Sequence, residues 1–156
     1  MCKNYSLLDE IEKNNIILIE DDIPFENLKG LYFDNNIIID KKIIKENETN
    51  CILAEELGHY FTSTGNILMN NTLEDIKQEK KARDWAVSRL ITLDDLIEAI
   101  IDKKSQDIAE LAENLEVTED FVIEAIKYYE RKYGLSVNYK GYKIQFNPYL
   151  KVKKLK

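Results

Sequence analysis

The chain has 156 residues, with 29 acidic against 22 basic side chains and a formal charge of −7. That length suits one domain with at most a small appendage, enough to bury a core without crosslinks. No apolar run approaches the roughly 18 residues of a membrane span, the start Met1-Cys2-Lys3-Asn4-Tyr5-Ser6 lacks the apolar segment of a secretory signal, and Cys2 and Cys51 alone make no disulfide framework; a cytoplasmic protein with no membrane association is expected.

Residues 5 to 14 read as a short helix, with Ser6 as N-cap and Leu7, Leu8 and Ile11 on one side. Ile16-Ile17-Leu18-Ile19 is a β-branched run that reads as a buried strand, entering an acidic turn at Glu20-Asp21-Asp22. Leu28 to Phe33 and Ile37 to Asp40 then read as two strands joined at Asp34-Asn35-Asn36, residues that tolerate the left-handed conformation of a tight hairpin.

The next helix is expected from the region of Asn47 to Asn50, with Thr49 and Asn50 as caps, through Phe61. It carries Leu53-Ala54-Glu55-Glu56-Leu57-Gly58-His59-Tyr60 and the only histidine of the chain. On a helix Glu55 and His59 stand one turn apart on a single face, with Glu56 about 100° round the axis from Glu55. This is the layout of the H-E-x-x-H helix of metalloproteases, whose first and fifth positions hold zinc and whose second is the general base. Here a glutamate stands in the first position, and E-E-x-x-H also occurs on acidic helices whose carboxylates are simply solvated. Gly58 inside the helix implies close approach of a neighbouring element. Cys51 reads as a buried small side chain, although it lies one turn before Glu55, where a thiolate is also a metal ligand.

Thr62-Ser63-Thr64-Gly65-Asn66 stops the helix, Asn66 to Asn71 reads as a loop, and Asn71 with Glu74 or Thr72 with Asp75 would cap the next helix. Along it Ile76, Glu79, Ala82 or Arg83, Ala86 and Leu90 fall near one stripe. Small alanines there let two helices approach and bring Glu79 towards Glu55 and His59. The alternative is a surface glutamate paired with Arg83 at i+4.

Taken together, the two helices resemble the ImmA/IrrE family of metallopeptidases, whose patterns run close to L-A-H-E-L-G-H-Y and E-x-x-A-x-x-F-A-x-x-L-L. Leu53, Ala54, Glu56, Leu57, Gly58, His59 and Tyr60 match the first; Glu79, Ala82, Ala86 and Leu90 match the second, with Trp85 in the aromatic position. The resemblance spans about the first ninety residues. It implies that Glu79 is the third metal ligand beside Glu55 and His59, that the ion is Zn2+, with Mn2+ or another divalent ion as a competitor at so carboxylate-rich a site, and that Glu56 is the catalytic base. It further implies an intracellular protein substrate, a helix-turn-helix repressor of a phage or mobile element. A descendant that has lost activity and only binds such a repressor is the other reading.

Thr92 and Asp95 cap a helix from Leu93 to Ile101. Residues 105 to 133 have the rhythm of a helix-turn-helix, with apolar positions 108, 111, 112 and 115, then Thr118 capping a helix with Val122, Ala125, Ile126 and Tyr129 inward. The second helix opens on Glu119 and Asp120, where a groove-reading helix meets phosphates, so packing or partner recognition is expected and direct nucleic-acid binding is not. After Gly134 ends that helix, residues 137 to 152 read as an edge hairpin guarded by lysines, with single-stranded nucleic acid as the less common use of such tyrosine-lysine interleaving. Six lysines and no acid lie after residue 137, which leaves the preceding part at −13. The expected fold is α+β: a small sheet on an active-site helix pair in residues 1–90, then a mainly helical region 91–156 with the terminal hairpin, packed on the core as one unit.

Overall fold

A computed structural model describes residues 3–63 and 72–156. The elements run α1 (Lys3–Lys13), β1 (Ile17–Asp21), β2 (Gly30–Phe33), β3 (Asn36–Asp40), α2 (Glu46–Thr62), α3 (Leu73–Leu90), α4 (Leu93–Ile97), α5 (Ile108–Leu115), α6 (Glu119–Tyr133), β4 (Ser136–Tyr139), β5 (Tyr142–Gln145) and β6 (Lys151–Lys154), and a π-helical turn, Glu98–Asp102, prolongs α4. The fold is α+β, in two compact units, Met1–Ala86 and Val87–Lys156, that divide within α3. Among the described residues no helix is long and apolar enough to cross a membrane.

In the first unit β3 is the central strand, parallel to β1 and antiparallel to β2. The β2–β3 hairpin turns on Asp34 and Asn35, both left-handed at φ 45° and 63°, as their short polar side chains permit. Ile37 and Ile39 point to the buried face and form the core with Leu7 and Ile11 of α1 and Leu53 and Leu57 of α2. The acidic run expected to be a turn partly continues β1, and the strand is not buried: Ile17 is 59% and Ile19 37% exposed. β1 lies at the sheet edge, and the alternation of the pleat turns these two isoleucines to the face opposite the helices.

The expected caps divide by whether they are local. Thr72 with Asp75 and Thr92 with Asp95 each form the reciprocal pair, and Thr118 accepts from the Phe121 N–H. Ser6 is not the N-cap, since α1 already begins at Lys3, and α2 begins at Glu46 behind Lys45, which gives no side-chain cap. Thr49 instead bonds the Lys45 carbonyl within the helix, and Asn50, fully buried, accepts from the Asn4 side chain across to α1. Gly65 and the loop Asn66 to Asn71 lie outside the described residues, as does Cys2.

In the second unit Leu111, Ala112 and Leu115 of α5 and Phe121, Val122, Ala125 and Tyr129 of α6 are buried, as the helix-turn-helix rhythm predicts. The Tyr129 hydroxyl donates to the Ile91 carbonyl, and its ring stacks on Phe146. The terminal strands are three rather than a hairpin: β5 pairs with β4 across Lys140-Gly141 and with β6 across a connection holding Asn147-Pro148. Ile144 and Val152 face inward, while Lys151, Lys153 and Lys154 stand exposed on β6, which is an edge strand.

Candidate active site

Gly58 fixes the distance between α2 and α3. A Cβ built there would overlap the Ala82 carbonyl, a main-chain group that cannot swing aside. The helices therefore meet backbone to backbone at this point, where Ala82 is buried. Side chains one turn either side of this contact are brought face to face.

Glu55, Glu56, His59 and Glu79 all line one cavity of about 550 Å3, together with Arg83 and the backbone of β2. His59 Nε2 stands 3.4 Å from Glu79 Oε2. The other ring nitrogen, Nδ1, is 3.3 Å from Ser63 Oγ, so the imidazole is held from both sides. Arg83 turns its Nη2 to Glu55 Oε1, 3.4 Å away, while its charge also acts on Glu79, its i+4 neighbour. Two crossed pairs thus join the helices, Glu55 with Arg83 and His59 with Glu79. Cys51 is buried one turn before Glu55 and does not line the cavity.

Glu56 faces the sheet. It is 8% exposed and accepts a hydrogen bond from the Tyr32 N–H. Burial pushes its carboxyl up to about 7; protonated His59 draws it down, Glu55 and Glu79 draw it up, and the Tyr32 N–H lowers it. A carboxyl poised there exchanges a proton near neutrality, which is what a general base requires. Burial opposes protonation of His59, yet the bond to Glu79 and the charges of Glu56, Glu79 and Glu55 outweigh it, so its pKa lies above the ordinary value. Glu79 is held below the usual carboxylate range by the His59 bond, against some desolvation.

β2 is an edge strand. Asp40 N–H bonds the Lys29 carbonyl, so residues 29, 31 and 33 direct their backbone groups to β3, and those of Gly30 and Tyr32 point to the open edge beside the cavity. Gly30 is required there, since a Cβ would press on Ile52 and on the Glu56 carboxylate.

One imidazole and two carboxylates are the right donors for a divalent cation. His59 and Glu79 already converge, and Glu55 is turned to Arg83. Among the described residues no three His, Cys, Asp or Glu side chains are drawn together as a ligand set. The donors therefore suit an ion in type and line one cavity, and Glu55 is paired with Arg83 rather than gathered with the other two. Ser63, Arg83 and the Tyr32 N–H were not evident as site groups in the sequence: Ser63 is four residues after His59, a spacing that offers the contact, whereas Arg83 and Tyr32 reach the site only through tertiary register. Comparison with protein-family models, with curated proteins and with solved structures yields no match.

Proposed function

We propose that the protein is a metalloendopeptidase acting on an intracellular protein, a helix-turn-helix repressor of a phage or mobile element, with Glu55, His59 and Glu79 holding a divalent ion, Zn2+ or Mn2+. The observation that carries this reading is the cavity itself: all four residues read as site groups line it, and Glu56 stands at its wall beside an open strand edge. A divalent ion held by these residues would polarise a substrate carbonyl and acidify a water molecule. Around that chemistry the chain supplies a proton acceptor, an orienting edge and a fixed imidazole.

Glu56, at the cavity wall, would take up a proton from the attacking water and return it to the departing amine as the C–N bond breaks. The backbone groups of Gly30 and the Tyr32 carbonyl, which point to the open edge while the Tyr32 N–H is held by Glu56, suit an extended substrate that adds as a strand beside the cavity. Ser63 keeps the His59 ring from rotating. The repressor as substrate follows from the family resemblance of the two helices.

The test is incubation of the purified protein, with Zn2+ or Mn2+, with the repressor encoded beside its gene. The expected outcome is a discrete cleavage that Glu56→Gln abolishes while fold and bound metal persist. Binding without cleavage by either form would overturn the peptidase and favour a second reading, an inactive relative that captures the repressor. The Arg83 guanidinium on Glu55 is the observation that favours that second reading.

A further inference from the structure

We infer that Arg83 is a built-in competitor of the metal: its guanidinium occupies Glu55 in the metal-free protein, and the site completes its ligand set only when that ion pair opens. The inference rests on the metal reading of the same cavity.

The argument begins with the charge pattern. Glu79 and Arg83 lie four apart on α3, Glu55 and His59 four apart on α2, so each helix presents one turn of acid and base to the other. The pairs cross between helices, and each acid is matched by a nitrogen at 3.4 Å. A divalent ion brought to Glu55, His59 and Glu79 would meet a fixed positive charge that already holds one of the three. It must displace the guanidinium from the carboxylate and then bear its repulsion nearby.

Geometry allows the exchange. Arg83 is 49% exposed and Glu55 30%, so the guanidinium can swing to water without leaving an unpaired charge in the core. An ion pair of that exposure is weak, and a chelated divalent ion outcompetes it. The backbone need not move, because Gly58 and Ala82 set the helix spacing independently of either side chain.

The experiment is calorimetric titration of the full-length protein with Zn2+ and with Mn2+, comparing the parent with Arg83→Gln and Arg83→Lys, each first checked for a cooperative thermal transition. Arg83→Gln removes the cation while keeping length and hydrogen-bonding capacity, and should bind the ion about tenfold more tightly. Arg83→Lys, which keeps the charge, should stay close to the parent. An ion bound equally or less tightly by Arg83→Gln would overturn the competitor and leave the metallopeptidase standing. No ion bound by any of the three would overturn both.

Discussion

Glu56 is a carboxylate in a place that disfavours its charge. With its pKa raised from the ordinary 4.5 to about 7, the folded chain holds a proton that the unfolded chain has already released. The folded state therefore binds more protons between these values, and stability falls as pH rises across that window. His59, also raised, acts in the same direction from its ordinary 6.5 upward. In the metal-free protein Glu56→Gln should leave stability near that of the parent at pH 4 and raise it by about 2–3 kcal/mol at pH 8. Urea denaturation with a chelator present measures this; an equal effect at both pH values would contradict it. At this scale Glu55, Glu56 and His59 were legible in the sequence because the spacing that puts them together belongs to a single helix. Glu79 needed a second helix: the alanine stripe suggested its approach, and its role as a ligand came from the family pattern. The pairing of Arg83 could not be read from i+4 spacing, since a partner on α2 competes for it.

Among the elements, α2 and α3 form the scaffold of the site, and their contact has no slack. Gly58→Ala must force the Ala82 carbonyl aside, at a cost of about 1–3 kcal/mol. It should lower the melting temperature and, on the proposed metal reading, by parting His59 from Glu79 weaken metal uptake more than an alanine at an exposed site of the same helix would. A melting temperature equal to the parent's would show that the seam yields. The type and order of these elements were legible wherever a signal is local: the Thr72, Thr92 and Thr118 caps, the Asp34-Asn35 turn and the Gly134 stop all lie within a few residues of what they cap or turn. Where a boundary or a burial is decided by distant packing, the pattern misled. The start of α2 has no side-chain cap, and the Ile17 and Ile19 run resembles a buried strand because period-two patterning does not reveal that one sheet face lacks a helix. The third terminal strand was hidden by the Asn147-Pro148 break, which interrupts the sequence pattern but not the sheet.

Over the whole molecule, charge is separated along the chain: the lysines after residue 137 stand against an acidic remainder. On β6 they occupy an open sheet edge, Lys151 and Lys153 exposed on either side of the inward Val152. Such residues repel a second strand that would otherwise add there. Exchanging both for threonine, which suits a strand but carries no charge, should raise self-association at neutral pH, read by light scattering against the parent at matched concentration; scattering unchanged from the parent's would remove the guarding role. The sign of this effect was legible from composition, whereas which strand forms the edge required the sheet order.

The contact between Gly58 and the Ala82 carbonyl has a wider meaning for how such a protein can change. Because main chain alone sets the gap, the occupants of positions 55, 59, 79 and 83 are cargo on a fixed chassis. Side chains at these four positions can therefore be exchanged without altering the distance between the two helices at their crossing, so a change of the site's chemistry demands no refitting of the fold around it.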